Sequence, residues 1–251
     1  MDAKLYEAFN VIEEKHWWFV ARRAYIYAYL SRFLQVDGSL KLAEIGAGTG
    51  GNFDMLTQFG VLDAIEMDEK AIKLAALKAD DNDRVVSLKV GWLPDNIPLH
   101  GQYDCVLALD VVEHVRDDAD AVKTLVNLLK PSGFLLITVP AYQWLWSAHD
   151  EVNHHYRRYT AAKLKALFDE TAVRILNLGY FNTLLFPIAL VRRLSSRWTK
   201  NTESPHADLQ IPGVLTNKCL NFVFSLESKW AGLISMPFGL SVITIIQKND
   251  D

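Results

Sequence analysis

The amino-acid sequence predicts an α/β fold with a doubly wound, mostly parallel sheet and helices on both faces. Segments of strand and helix character alternate along most of the chain. The run Tyr103–Leu109 is continuously apolar, as in a strand that is buried on both faces of a parallel sheet. A glycine-rich turn follows the first predicted strand. Ligands of such sheets lie at the carboxyl ends of the strands, so we expect a binding site at that edge.

The individual elements follow from apolar runs and from helix-capping residues. Strands are predicted at residues 40–45, 61–66, 85–90, 103–109, 134–139, 173–178 and 241–247. Helices are predicted at residues 6–33, 52–59, 69–79, 118–129 and 161–170. Asp68 and Thr160 are the expected N-caps, and the sequence KPSG at 130–133 should end the fourth helix. A long insert at 181–236, with a polar break at 199–212, precedes the last strand.

Composition limits the function classes. The chain has 251 residues and a net charge of −4, so a broad cationic surface for nucleic acid is not expected. Cys105 and Cys219 form no CxxC pair, which favours a reducing compartment. The polar, acidic first residues do not resemble a signal peptide. We therefore expect a cytoplasmic protein without a structural metal site.

Two apolar stretches near the C-terminus raise the question of membrane contact. Residues 178–191 are fewer than the roughly 20 that a spanning helix needs. Pro237 and Gly239 interrupt the stretch 230–246. A transmembrane helix is therefore not expected. Peripheral contact with the inner face of a membrane stays open, because the arginines at 192, 193 and 197 lie beside apolar residues.

The glycine turn carries the most specific functional signal. Residues 42–51 read LAEIGAGTGG, and Gly46, Gly48 and Gly51 match the spacing of a dinucleotide-binding turn. Glu44 stands two residues before the first glycine, where a carboxylate would repel a pyrophosphate. A ligand with an ammonium and a sulfonium suits this carboxylate, and S-adenosylmethionine carries both. An NAD(P)-dependent oxidoreductase that uses the same turn is the alternative.

Residues after the second and third strands extend the predicted cofactor site. Glu66 ends its strand about 20 residues after the turn, where an acid can accept hydrogen bonds from ribose hydroxyls of either cofactor. Met67 could lie against the adenine, and Trp92 could stack on it, with Leu93 beside them. Packing in the core is the alternative for Met67 and Trp92.

Four motifs in order and spacing resemble class I S-adenosylmethionine-dependent methyltransferases. They are LAEIGAGTG, AIEMD, LDVVEHV and LLKPSGFLLITVP, and the resemblance covers about residues 40–180. It implies a Rossmann-like, seven-stranded sheet whose last strand is antiparallel. It also implies methyl transfer. Together with the predicted elements, we expect a single domain over 1–251, with an N-terminal helical lid at 1–38, a cofactor-binding core at 39–180, a helical insert at 181–236 and a final strand at 237–251.

The same resemblance assigns roles to individual residues. Glu44, Gly46 and Gly48 would line the methionine side of the cofactor, Glu66 would bind the ribose, and Asp110 and Val111 would close the site. The full set of predicted cofactor contacts is Glu44, Gly46, Ala47, Gly48, Glu66, Met67, Trp92, Leu93, Asp110, Val111, His114 and Arg22. The chain departs from the family at Trp92, because the loop after the third strand often carries an Asp for the adenine amine.

Two further segments resemble a bacterial subgroup of these enzymes. One is the leader EEKHWWFVARR at 13–23, and the other is LWSAHDEVNHHYRRYT at 145–160. Members of the subgroup accompany glycan, lipid and secondary-metabolite pathways. The resemblance implies that the leader covers the cofactor and that Arg22 pairs with the methionine carboxylate. A helix that packs its aromatic residues on the sheet is the alternative, and both can hold.

The second of these segments supplies candidates for catalysis. His149, His154 and His155 could each act as a general base for a hydroxyl acceptor, and we favour His155 with Asp150 orienting it. The predicted acceptor contacts are Trp146, His154, Arg157, Arg158 and Tyr159. A structural loop held by Arg–Asp pairs is the alternative.

A metal site is not expected, because the separation of Glu113 and His114 is wrong for two ligands on one helix face. A site built from His149, Asp150 and His154 is a minor alternative. We expect a small or lipid- or glycan-linked acceptor that is methylated on oxygen, with nitrogen or carbon left open. A non-catalytic module that binds S-adenosylmethionine is a further alternative. The insert could shape the acceptor pocket or a homodimer contact.

Overall fold

The computed structural model describes residues 12–99, 101–191 and 210–250. Its centre is a seven-stranded sheet in the order β3-β2-β1-β4-β5-β7-β6. The strands are β1 (Leu40–Ile45), β2 (Gly60–Glu66), β3 (Val85–Val90), β4 (Tyr103–Leu109), β5 (Leu129–Pro140), β6 (Val173–Phe181) and β7 (Ser241–Lys248). Strand β7 runs antiparallel to both β5 and β6, and the other pairs are parallel. The predicted fold class, including the antiparallel last strand, is confirmed.

Helices cover both faces of this sheet. They are α1 (Trp17–Leu30), α2 (Phe53–Leu56), α3 (Glu69–Asp80), α4 (Asp118–Asn127), α5 (Ala148–Val152), α6 (Ala161–Ala166) and α7 (Val214–Ser225). Alternate residues of β1 enter two different clusters: Leu42 packs with side chains of α1, α3 and α7, and Ala43 packs with those of α4 and α6. This division explains the continuous apolar runs of the central strands.

Several element boundaries differ from the prediction, and three of the differences have a local physical reason. Helix α2 is only one turn long, because the chain must turn back before Gly60 opens β2. Strand β5 begins at Leu129, so Lys130–Gly133 lies within an irregular part of the strand. There Ser132 has a φ of +59°, and the register to β4 shifts.

His16 interrupts the leader helix, since its Nδ1 accepts a hydrogen bond from the backbone N–H of Trp18 and caps α1. Residues 6–11 of the predicted leader helix lie outside the described residues.

The insert at 181–236 packs partly against the leader. Its helix α7 contacts α1, with Phe224 beside the rings of Tyr25 and Trp17. Asn217 accepts a hydrogen bond from the backbone N–H of Trp17 at 2.9 Å. The polar break at 199–212 lies mostly outside the described residues. In the parts of the chain that the structure describes, no helix has the length and apolar character to cross a membrane.

Candidate active site

The glycine turn lies at the carboxyl end of β1, between β2 and β4. Gly46 and Gly48 have φ angles of +75° and +56°, which L side chains rarely adopt. A Cβ on Gly46 would lie 2.5 Å from Cγ2 of Val111, so the turn and the loop after β4 are in close contact. A Cβ on Gly48 would meet nothing within 4 Å. The turn therefore presents its backbone to open space at Gly48, as a ligand-binding turn requires.

Glu44 is completely buried beneath this turn. Its Oε1 accepts a hydrogen bond from Nδ2 of Asn52 at 2.7 Å. Its Oε2 has no partner among the described residues. Burial raises the pKa of Glu44 to about 8, although the Asn52 hydrogen bond and the charge of Arg22 oppose this shift. A buried carboxylate with one open oxygen fits a cationic ligand, because such a ligand would favour the ionised form.

Glu66 ends β2 directly opposite the turn. Its Oε2 accepts a hydrogen bond from the N–H of Gly48 at 2.8 Å, and its Oε1 accepts from the N–H of Met67 at 2.8 Å. The two side chains predicted to meet the adenine are outside the core: Met67 is 67% exposed and Trp92 is 47% exposed. Leu93, by contrast, is buried. The residues present thus fit an adenosyl ligand, with a polar group for the ribose and apolar surfaces for the base.

Arg22 of α1 reaches the loop after β4. Its Nη2 donates to Oδ2 of Asp110 at 2.6 Å and to Oγ1 of Thr138 at 3.1 Å. Thr138 in turn donates to Oδ1 of Asp110 at 3.1 Å. The guanidinium lies 5.1 Å from the centroid of the Trp18 ring. The carboxylate that Arg22 meets in this structure is therefore that of Asp110, and Nε of Arg22 has no partner in the described residues.

The leader also contacts the glycine turn. Glu13 accepts a hydrogen bond from Oγ1 of Thr49 at 2.7 Å and pairs with Lys78 of α3. A Cβ on Gly51 would overlap the Glu13 carboxylate. The leader is thus attached both to the glycine turn and, through Arg22, to Asp110 after β4 and Thr138 of β5. Sequence reasoning did not identify Glu13, Asn52 or Thr138, because a single polar residue carries no pattern.

Asp150 is the centre of a buried hydrogen-bond network. It accepts from Nδ1 of His155 at 2.9 Å, from Nε and Nη2 of Arg158 at 2.7 and 2.9 Å, and from the N–H of Ser147 at 2.8 Å. Burial alone would raise the pKa of Asp150, but the hydrogen bonds from His155 and Arg158 outweigh it and hold the pKa below its usual range. The ionised carboxylate orients His155 by its Nδ1, which leaves Nε2 for other partners.

The other predicted acceptor contacts have different surroundings. Arg158 is buried and uses its remaining Nη1 on the carbonyl of Ala141, and Tyr159 is buried and donates to Asp118 at 2.8 Å. Arg157 pairs with Asp118 at 2.7 Å. These contacts favour the structural alternative for all three residues. Trp146 is half-buried, His149 lies 3.1 Å from Nδ2 of Asn153, and His154 is exposed.

Glu113 and His114 lie on a single 3₁₀ turn, Val112–His114, that follows Asp110. Glu113 is completely buried, and neither of its carboxylate oxygens has a partner in the described part of the chain. Burial, and after it the charge of Asp110, raises the pKa of Glu113. His114 is exposed by its surface area. Desolvation of its ring by the surrounding protein, and after it the charge of the neighbouring His155, lower the pKa of His114. The rings of His114 and His155 are 4.5 Å apart between centroids.

Comparison with known proteins identifies the family. A family model described as a methyltransferase domain matches residues 19–177, more than half of the chain. The ubiquinone biosynthesis O-methyltransferase of Caulobacter sp. (strain K31) is 32% identical over 104 residues, which cover 39% of this chain and 40% of that protein. The same-named enzyme of Bradyrhizobium diazoefficiens is 28% identical over 114 residues, 45% of each chain. The chain therefore aligns with less than half the length of these curated relatives.

Solved structures share the fold at low sequence identity. Coclaurine N-methyltransferase bound to N-methylheliamine and SAH superposes with a TM-score of 0.57 at 11% identity, covering 88% of this chain and 70% of that one. The cyclase SpnF gives 0.59 at 14% identity, covering 91% and 81%. A cyclase on the same fold shows that the fold alone does not fix the reaction. The family match, however, decides against the NAD(P)-dependent alternative: the chain belongs to the class I S-adenosylmethionine-dependent methyltransferases.

Proposed function

We propose that the protein transfers a methyl group from S-adenosylmethionine to an oxygen atom of a small or lipid- or glycan-linked acceptor. The observation that carries this proposal is the pairing of His155 with Asp150 at the carboxyl edge of the sheet, where the glycine turn also lies. An oriented imidazole at this edge suits an acceptor that must lose a proton. The O-methyltransferase names of the relatives support oxygen as the acceptor atom.

The chain would hold its cofactor mainly through two carboxylates and the glycine turn. When bound, S-adenosylmethionine supplies a methyl group on a positively charged sulfur. The open oxygen of Glu44 would receive the ammonium of the ligand, and Glu66 would receive the ribose hydroxyls. Gly48 and Ala47 would allow the close approach of the backbone, with Met67 and Trp92 beside the base. Arg22 and Asp110 would close the site from the leader side and exclude water.

The acceptor gains a carbon–oxygen bond as the carbon–sulfur bond breaks, and its hydroxyl proton must leave. We assign control of this proton to His155. The ionised Asp150 fixes the orientation of the ring, and Nε2 is the nitrogen that remains for the acceptor side. Such positioned proton control contributes typically 10²–10⁴-fold to a rate.

An apolar acceptor, or one that is presented at a membrane surface, fits the exposed side chains near the insert. Ile188, Val191, Leu215, Phe222 and Ile234 are all exposed. Single exposed apolar residues are common, but all five of these lie within the insert at 181–236, which supports contact with a lipid tail. Sedimentation with vesicles of anionic and neutral phospholipid would test this contact, and a protein that stays entirely in the supernatant would contradict it.

The reaction is tested by methyl transfer with hydroxyl acceptors that differ only in the presence of a prenyl tail. We expect methyl ethers and S-adenosylhomocysteine in equal amounts. His155→Ala should lower the rate at least 100-fold while leaving the affinity for S-adenosylhomocysteine unchanged. Tight binding of S-adenosylmethionine with no transfer to hydroxyl, amine or carbon acceptors would instead support a non-catalytic module.

A further inference from the structure

We propose that Glu113, His114 and His155 bind one divalent transition-metal ion beside the cofactor site. Each residue offers one ligand atom, and these atoms lie within 4.8 Å of one another. Binding of the ion stands on this geometry alone. Its role in the reaction rests on the proposed function: the ion that His155 helps to hold would activate the acceptor hydroxyl. The sequence expectation of no metal site is thereby revised.

The first argument is the state of Glu113. Buried polar groups in folded proteins are nearly always hydrogen-bonded, and a buried carboxylate without a partner is costly. Both oxygens of Glu113 lack a partner among the residues described. The two nearby cations do not supply one, because Arg22 is bound to Asp110 and Arg158 is bound to Asp150. A bound cation would satisfy these oxygens.

The second argument is the orientation of His155. Histidines that bind metals usually donate their other ring N–H to a carboxylate, which fixes the tautomer and the ring. Nδ1 of His155 has this bond to Asp150, at 2.9 Å, and Asp150 is itself held by Arg158. The N–H of Tyr156 donates to the carbonyl of Glu113 at 2.8 Å, so the loop that carries His155 is attached directly to the turn that carries Glu113. His155 is therefore placed to present Nε2 to the cluster.

The third argument is the chemistry of the ligand set. Two imidazoles and one carboxylate form the set found in catalytic zinc sites and in non-haem iron sites, with positions left open for water or substrate. Neighbouring ligand atoms on an ion with bonds of about 2.1 Å are roughly 3.0–3.4 Å apart. The three ligand atoms now lie within 4.8 Å of one another, so rotation of the side chains would bring them together around the ion. Imidazole ligands favour zinc, copper, nickel or iron(II), whereas magnesium, calcium and manganese prefer oxygen ligands.

An acceptor hydroxyl could occupy an open position on this ion. A bound divalent cation lowers the pKa of a coordinated hydroxyl, so the proton would leave to solvent water and the oxyanion would be stabilised by the ion. The oxygen then attacks the methyl carbon. His155 would act as a ligand in this scheme, and Asp150 as the residue that positions it.

The test is titration of EDTA-treated, dialysed full-length protein with Zn²⁺, Mn²⁺ or Mg²⁺, followed by calorimetry. We expect one Zn²⁺ per chain, bound more tightly than Mn²⁺ or Mg²⁺. Glu113→Gln and His114→Ala should weaken this affinity at least tenfold. His154→Asn removes an exposed imidazole from the same loop and should leave the affinity unchanged; it also suits the left-handed backbone there, with a φ of +56°.

Glu113→Gln should fold, because Gln keeps the size and shape of this completely buried side chain and adds no charge. Thermal unfolding and binding of S-adenosylhomocysteine by the same samples check this. No stoichiometric binding of any of the three ions, or binding that Glu113→Gln leaves intact, would overturn the inference. Methyl transfer at full rate by EDTA-treated protein would overturn the role of the ion and leave the proposed function standing. Stoichiometric ion binding without transfer to any acceptor would support the metal site and contradict the proposed function.

Discussion

Nη2 of Arg22 lies 2.6 Å from Oδ2 of Asp110, and this contact joins two residues that are 88 positions apart in the chain. Arg22 belongs to the leader helix, and Asp110 is the first residue after β4. Asp110 has a φ of +60°, so its backbone is held in a conformation that few non-glycine residues adopt. The pair therefore connects the leader helix α1 to the loop after β4.

Arg22→Ala should destabilise the protein and weaken cofactor binding. The side chain of Arg22 is buried and that of Asp110 is one-quarter exposed, so its loss should lower the free energy of unfolding by about 2–3 kcal/mol. We expect a roughly tenfold loss of affinity for S-adenosylhomocysteine, because the leader helix would no longer be held at the predicted cofactor site. Arg22→Lys keeps the charge but loses the simultaneous contact with Asp110 and Thr138. Its stability and its affinity should therefore lie between those of the wild type and of Arg22→Ala. Denaturant unfolding and calorimetry measure both quantities; an Arg22→Ala protein with native affinity would contradict the role of the pair.

Glu44 should make cofactor binding depend on pH. With a pKa of about 8, the group is mostly protonated at pH 7 in the free protein, whereas a bound cation favours the ionised form. Binding at pH 7 should therefore release most of one proton, and affinity should rise with pH until about pH 8 and then level. Calorimetry in buffers with different ionisation enthalpies measures the released proton.

Glu44→Gln is the matched control for this linkage, since it keeps the shape and removes the titration. It should bind the cofactor weakly, and the part of the proton release that belongs to Glu44 should vanish. Glu44→Ala should abolish affinity, and Glu44→Asp should retain part of it. Equal proton release by the wild type and by Glu44→Gln would refute the assignment of this carboxylate.

Gly48→Ala should separate cofactor binding from folding. A Cβ there meets nothing within 4 Å, so the unligated protein should lose only about 1 kcal/mol through the left-handed backbone. The methyl group would occupy the space in which we place the cofactor, so affinity for S-adenosylhomocysteine should fall by far more than this. Gly213→Ala, also in open space but with a φ of −51°, is the control and should leave affinity unchanged. Unaltered affinity in Gly48→Ala would place the ligand elsewhere.

Asp150→Ala should be among the most destabilising single changes in the loop that carries His155. It would leave the buried guanidinium of Arg158 without its carboxylate, which costs about 3–5 kcal/mol in comparable buried pairs. The exposed pair of Lys123 and Glu170 offers the contrast, and Glu170→Ala should leave the unfolding midpoint unchanged. Unfolding in urea compares the two; similar midpoints for both variants would show that the Asp150 network adds nothing to stability.

The sequence predicted the sheet better than the site. Strands β3 and β4 coincide with their predicted bounds, because apolar runs between turn residues define buried strands. The start of β5 was wrong, since Pro131 and Gly133 indicate a turn by residue type although the strand continues through a bulge. Glu44 and Glu66 were predicted as cofactor contacts because their spacing from the glycine turn is characteristic, and both lie beside that turn in the fold.

Contacts between distant segments were not predictable from local patterns. The bond between Arg22 and Asp110 depends on how the leader lies across the sheet. The cluster of Glu113, His114 and His155 escaped a rule for ligand spacing on helices, because Glu113 and His114 lie on a 3₁₀ turn and His155 comes from a separate loop. That Arg158 and Tyr159 are buried follows only from the folded arrangement, in which Asp150 and Asp118 take up their polar groups.

A crystal structure with S-adenosylhomocysteine is the most direct measurement of the central claim. We expect the amino group of the ligand within hydrogen-bond distance of Oε2 of Glu44, the oxygen that now has no partner among the described residues, and the ribose hydroxyls on Glu66. A ligand that lies away from the glycine turn, with Glu44 still bonded to Asn52 alone, would contradict the account.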